Sequence, residues 1–298
     1  MEVTAITEMF TASQEKYGVK YGNYIGDGDS KTFKAVVDLN PYGDDFPITK
    51  SECIGHIEKR MGSRLRNVKK TKKLGGKGKF TDILIKKLTK YYGLAIRRNV
   101  ESVENMKKDI MATYLHMIST NKNLRHENCP KGEDTWCKYN LAQTFGAKYN
   151  HPAPLHAEVA ANILPICEDL SREELLERCL GGHTQNANES YNSTVWQLAP
   201  KHLHAGRKIV EIAAFIAVCV FNEGFFGVLK IMETLEIKIG TTCKMFADSV
   251  DANRIRRQER RSLTSTKEVR LARKQELIEQ NEMFEEAEGL LYGPGIAD

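Results

Sequence analysis

The sequence predicts an α/β fold in which a short stretch of sheet is followed by a long series of helices. Three observations carry that expectation. Val19 to Ile25 alternates apolar and polar positions, as a half-buried strand does. Helical spacing precedes it over 1–17 and follows it over Ser30 to Asp38, and a second short strand is expected at Ile48 to Cys53, the element order of a sheet-and-helix layer. From Ile54 onward every periodic stretch has helical spacing.

Val3, Ile6, Met9 and Phe10 define the first helix, and Gly18 ends it. Pro41 to Pro47 is a turn-rich loop before the second strand. Helices are then predicted over Ile54 to Val68, 80–98, 100–120, 139–148, 156–168 and 171–180, the last opened by Ser171 with Glu174 as a capping box. A further helix carries Glu189 and closes near Pro200, with Asn186 or Asn188 placed to cap it. Residues 205–235 form an apolar helix or helix pair broken at Gly224. Residues 243–288, dense in charge and sparse in apolar positions, predict a long solvated or partner-binding helix.

Composition excludes several classes. The apolar fraction of 41% and charged fraction of 28% are ordinary for a globular chain of 298 residues, so a disordered polyelectrolyte is not expected. The longest apolar run, Ile212 to Phe221, is half of what a membrane span needs and is expected to be a buried helix. No charged-then-apolar leader is recognisable, and seven cysteines, an odd number, argue for reduced thiols over a disulfide framework. A net charge of +5 admits a polyanionic partner without requiring one.

Charge clustering is more informative. Between Lys59 and Lys79 lie ten basic residues and no acid: Lys59, Arg60, Arg64, Arg66, Lys69, Lys70, Lys72, Lys73, Lys77 and Lys79. A solvated face is the ordinary explanation, but such a dense field also suits phosphate contacts, whose counterion release gives sequence-tolerant affinity for DNA. The Gly-rich end of this run is no Walker loop, because Lys73 and Phe80 stand where that loop needs Gly and Ser or Thr.

Two acidic stretches suggest chemistry. Tyr24-Ile-Gly-Asp27-Gly-Asp29-Ser puts a carboxylate at the C-terminal end of a strand, and Asn186-Ala-Asn-Glu189-Ser puts another on the first turn of a helix. A lone Asp in a Gly-rich turn is more often a turn-former than a ligand, so Asp27 gains weight only with Glu189. Cys53-x-x-His56 alone reads equally as a core thiol with a capping histidine. Cys129 and Cys137 flank a Pro-Lys-Gly loop with His126 just upstream, which resembles a soft-ligand zinc clip. Cys167, Cys179, Cys219 and Cys243 fall in helical patterns and are expected to be core thiols, while Trp136 and Trp196 are expected to be core anchors.

Taken in order, Gly26-Asp-Gly-Asp-Ser30, Cys53-Ile-Gly-His56, Cys129-Pro-Lys-Gly-Glu-Asp-Thr-Trp-Cys137 and Asn186-Ala-Asn-Glu189-Ser-x-Asn192 resemble the Mutator-like transposases, especially their animal branch. The resemblance implies an RNase H-like core with an Asp, Asp, Glu triad and an all-helical insertion before the Glu. Asp27 then matches the second Asp, with Asp29 as its competitor, and Glu189 the final Glu. Met1-Glu2-Val3 resembles the middle of such a transposase, so the first strands and their Asp are expected to be missing. The expected architecture is a partial RNase H-like core over 1–68, a helical insertion with basic loop and zinc clip over 69–182, core helices carrying the Glu over 183–240, and a charged helix and tail over 241–298.

The implied function is DNA cleavage and strand transfer with Mg2+ or Mn2+ on Asp27, Glu189 and, as the alternative, Asp29. The 298 residues are expected to be inactive alone for want of the first Asp. A structural Zn2+ is expected on Cys53, His56, Cys129 and Cys137, with His116 or His126 as substitutes. The implied partners are DNA, both terminal repeats and target, and a second copy of the chain, with a nuclear location and no membrane. The competing reading is a catalytically dead, host-retained DNA- or protein-binding zinc module.

Overall fold

The computed structural model describes residues 2–26, 30–76, 79–132 and 135–262. Asp27, Asp29 and Lys77 therefore lie outside the described residues, as does the part of the charged C-terminal stretch beyond Ser262. The chain divides into two units, residues 1–187 and 188–298.

In the first unit, α1 (Glu2–Tyr17) stops at Gly18, whose φ of 64° is the left-handed conformation that glycine adopts freely. Strand β1 (Asn23–Gly26) and strand β2 (Thr49–Glu52) pair in parallel, Asn23 opposite Thr49 and Gly26 opposite Glu52, with α2 (Ser30–Leu39) as the crossover. β1 is shorter at its start than the alternating pattern suggests. Val19 is spent on closing α1, its amide bonding Ser13 O at 3.4 Å, and the amide of Tyr21 donates to the Tyr42 hydroxyl at 3.0 Å. Phe10, Val36 and Tyr42 bury a small cluster beside the sheet.

Most of the unit's buried surface lies elsewhere, in a helical bundle. Helices α3 (Ile54–Thr71), α4 (Asp82–Arg98) and α5 (Val103–Ile118) run in succession. The short α6 (Lys138–Thr144) precedes α7 (Ala157–Asp169) and α8 (Glu173–Glu177). Ile57 and Leu65 of α3, Leu88 and Ile96 of α4, Met106 and Ile110 of α5, Ile163 of α7 and Leu176 of α8 share one core, each contributing roughly 1.5–3 kcal/mol by burial. Tyr92 is buried in that core, and its hydroxyl is satisfied by donating to Leu170 O at 2.9 Å. Thr81 and Ser102 cap α4 and α5, their hydroxyl oxygens accepting from Leu84 N and Asn105 N. The capping box expected at Ser171 does not form. Arg172 precedes α8 without a side-chain cap, and Ser171 Oγ instead donates backwards to Glu168 O at 3.2 Å, closing the turn after α7.

Beyond α8 the chain runs back along β2. Glu52 N donates to Arg178 O at 2.8 Å and Ile54 N to His183 O at 3.1 Å, and the Glu52 carboxylate, 2% exposed, sits between Arg60 at 3.4 Å and Arg178 at 3.5 Å. A buried acid with two cations is satisfied only while both stay in place.

The division between units falls within α9 (Asn186–Leu198). That helix starts at Asn186, so neither Asn186 nor Asn188 occupies the residue ahead of it, which is Gln185. The second unit continues with α10 (Arg207–Glu223), α11 (Phe225–Thr234) and α12 (Thr241–Ser262). Gly224, at φ 76°, breaks the apolar run where the sequence places the break. α12 secures both sides of it. Asp251 accepts from the amides of Phe225 at 2.9 Å and Phe226 at 3.2 Å, and the Arg254 guanidinium donates to Val220 O and Phe221 O. The expectation of a buried α10 fails, because its buried positions are the small Ala213 and Ala217, while Ile212 is 57% and Phe215 70% exposed. Trp196 is no core anchor either, being 37% exposed with Lys201 Nζ over its ring at 4.6 Å. Cys219 and Cys243 are only half-buried, unlike Cys167 and Cys179.

Candidate functional site

His116 lies in the last turn of α5, His126 and Cys129 in the loop that follows, and Cys137 at the residue before α6. His126, Cys129 and Cys137 are buried and His116 half-buried, and their four ligating atoms lie within 4.8 Å of one another. Both imidazoles present Nδ1. His116 Nδ1 is 3.8 Å from Cys129 Sγ and 3.6 Å from Cys137 Sγ, and His126 Nδ1 is 3.7 and 3.5 Å from the same sulfurs. Tetrahedral zinc, with Zn–S about 2.3 Å and Zn–N about 2.0–2.1 Å, separates sulfur from nitrogen by about 3.6 Å. The donor set and its spacing therefore fit an ion such as zinc.

The surrounding loop is built to hold these atoms. Asn140 donates from its side chain to Cys129 O at 3.3 Å and Pro130 O at 2.9 Å, and from its backbone to Cys137 Sγ at 3.4 Å. Tyr139 stacks on His126 with ring centroids 4.4 Å apart, and Trp136 stands edge-on to His116 at 5.1 Å. The thiol of Cys137 is drawn below its ordinary range by a hydrogen bond from Cys129 and then by His116, while Cys129 is pushed up by that same bond and by burial. Burial lowers His126, keeping its imidazole neutral and able to ligate.

The expected ligand set is thus corrected in half its members. Cys129 and Cys137 come together with both histidines weighed as substitutes, and Cys53 and His56 are not in the group. Cys53 is otherwise occupied: it precedes α3, is 2% exposed, and its sulfur accepts the Gln185 amide at 3.3 Å. His56 lies in the first turn of α3. The sequence signal for the observed cluster was the pair of histidines ahead of Cys129, His116 and His126, which spacing alone did not rank above a Cys-x-x-His motif.

Of the acidic residues, Asp27 and Asp29 lie outside the described residues, directly after β1. Glu189 occupies the first turn of α9 and is exposed. Gln185 reaches the strand that leads to Asp27, its side-chain amide donating to Ile25 O at 3.0 Å.

The basic run is partly paired and partly gathered at one notch, with Lys69 common to both. Arg60, Arg64, Lys69 and Lys79 pair with Glu52, Asp169, Asp82 and Glu158, acids supplied by other segments. Arg66, Lys69, Lys70 and Lys73 line an open notch with Gly75 and Asp82 at the end of α3. Lys59 lies on α3 and Lys72 caps its C-terminus. Among the described residues, no helix is long and apolar enough to cross a membrane.

No curated protein and no solved structure matches the chain. A family model, that of the Mutator-like transposase, matches residues 1–137. The match takes in β1, the basic run and all four members of the His/Cys cluster, and it ends before Glu189. Over residues 1–137 the chain is thus similar to the Mutator-like transposases.

Proposed function

We propose that this chain is part of a DDE-type transposase that binds DNA, with Asp27 and Glu189 as two acids of its metal-binding site and Asp29 as the alternative to Asp27. The observation that carries this reading is the Mutator-like match over residues 1–137, which includes the strand end with Asp27. Two further features support it. The parallel β1–α2–β2 unit ends β1 immediately before Asp27, at the strand terminus where α/β proteins place ligands. The Gln185 side chain, just ahead of the helix that bears Glu189, is tied to Ile25, just ahead of Asp27. On this reading the unit is a portion of an RNase H-like core, interrupted by the helical bundle before α9.

Carboxylate oxygens of Asp27, Asp29 and Glu189 are the hard ligands that Mg2+ or Mn2+ requires. Paired ions of that kind activate the attacking oxygen and stabilise the leaving one in phosphodiester displacement. The 298 residues hold counterparts of two triad acids, and two acids position an ion too loosely for in-line attack, so these residues alone leave DNA intact. The notch cations contribute sequence-tolerant phosphate contacts. A structural zinc on His116, His126, Cys129 and Cys137 ties the end of α5 to the start of α6. The nucleus is the compartment in which such a protein meets chromosomal DNA, and a second copy is the partner that joining two transposon ends would call for.

The His/Cys cluster also favours a second reading, a DNA- or protein-binding zinc module without catalysis. Incubating residues 1–298 with terminal-repeat DNA and Mn2+ tests both the DNA binding and the inactivity. DNA bound at low salt and left uncut is expected. Absence of binding would overturn the DNA reading, and cutting abolished by Asp27→Ala would overturn the inactivity.

A further inference from the structure

We propose that His151 and Asn121 are positioning residues that fix His126 as an Nδ1 ligand, an inference that rests on the zinc reading of the cluster. A histidine that ligates through Nδ1 carries its proton on Nε2, and the bond made there sets the tautomer and ring orientation. His126 Nε2 faces two groups, Ser119 Oγ at 2.9 Å and His151 Nε2 at 2.7 Å. Ser119 Oγ already accepts from the Arg125 amide at 3.1 Å and keeps a second lone pair for His126.

The direction of the remaining bonds is set by a backbone group. His151 N–H donates to Asn121 Oδ1 at 3.0 Å, which orients the amide with its oxygen toward His151. The same oxygen lies 2.7 Å from His151 Nδ1, so that nitrogen carries the ring proton. His151 Nε2 is then a lone pair and accepts from His126 Nε2–H. The chain runs one way only, His126 to His151 to Asn121, and it leaves the His126 Nδ1 lone pair facing the two sulfurs. Reversing it would set His151 Nδ1 and Asn121 Oδ1 against each other as two acceptors. Tyr139, stacked on His126, blocks rotation of the ring out of this arrangement. His151 lies outside the 126–137 loop, beyond α6, so the metal centre draws on a segment that contributes no ligand.

The test is the zinc dissociation constant of the full 298-residue protein, measured by competition with a chromophoric chelator. Wild-type protein is expected to hold one zinc per chain, and His151→Leu to weaken it about 10- to 100-fold. His151→Gln, whose carbonyl oxygen can accept from His126 Nε2–H, is expected to recover most of that loss, and Asn121→Ala to weaken binding less than His151→Leu does. Wild-type protein that takes up no zinc would overturn the underlying metal reading. Tight wild-type binding unchanged in His151→Leu would overturn the positioning role alone, as would equal weakening by Leu and Gln, which would mean that His151 acts through packing. Thermal unfolding of each zinc-saturated variant keeps loss of fold distinct from loss of affinity.

Discussion

Gln185 Nε2 donates to Ile25 O at 3.0 Å across 160 residues of sequence, while the Gln185 amide donates to Cys53 Sγ at 3.3 Å. One residue thus ties the segment before α9 to both the strand before Asp27 and the residue that opens α3. Gln185→Ala is expected to cost about 0.5–1.5 kcal/mol, the net worth of one such bond, with faster amide exchange at Ile54 and Gln185. Urea unfolding with exchange mass spectrometry reads both. Unchanged exchange at those amides would mean the segment before α9 is held by its backbone bonds alone.

Arg64 behaves as a structural cation. Its guanidinium, hydrogen-bonded to Asp169, holds that carboxyl below its ordinary value of 3.8, joining α3 to α7. A depressed carboxyl contributes stability that is present above its unfolded value and lost as pH falls through the folded one. The stability difference between wild type and Arg64→Ala should therefore be larger at pH 7 than near pH 2.5. Both groups are partly exposed, so solvent screening keeps the effect modest.

Thiol chemistry should report the metal centre. Burial pushes Cys167 and Cys179 up to about 12, and Cys53 is 2% exposed, so all three should resist alkylation at pH 8 in the native protein. Half-buried Cys219 and Cys243 should label first. Removing zinc with a chelator should release Cys129 and Cys137 for labelling, and re-adding zinc should protect them. Identical labelling with and without chelator would argue against bound metal.

DNA affinity should fall steeply with salt. Because Lys69 is paired with Asp82 at 2.9 Å, Lys70, Lys72 and Lys73 are expected to carry more of the phosphate binding. Replacing those three with Ala should reduce the slope of log affinity against log salt by about 2–3, near 0.9 for each phosphate no longer neutralised. An unchanged slope would move the interface elsewhere, with Arg254, Arg256, Arg257 and Arg260 on α12 as the next surface to test.

Much of the local structure was legible because its signals are local. Gly18 and Gly224 end helices by backbone conformation alone, and the 3.6 spacing of Ile57, Met61 and Leu65 needs no partner to be read. What required the third dimension was the choice among equivalent groups. Cys53 and His56 look as much like ligands as His116 and His126, and only the fold brings the latter pair to the two sulfurs. Charge was misjudged for the same reason, since Glu52, Asp82, Glu158 and Asp169, which neutralise part of the basic run, are supplied from outside it. The apolar pattern of α10 likewise could not say which side of the helix would be covered, and the covered side turned out to be the alanines.

The proposed pairing of Asp27 and Glu189 on one divalent ion is tested by Mn2+ binding, measured by electron paramagnetic resonance on zinc-loaded protein. Zinc keeps the His/Cys cluster filled, so any Mn2+ taken up reports on carboxylates. One weakly bound Mn2+ per chain is expected in the wild type, lost in Asp27→Asn and lost equally in Glu189→Gln. Wild-type binding that survives either substitution would contradict the pairing, because two acids sharing an ion cannot be removed independently without effect.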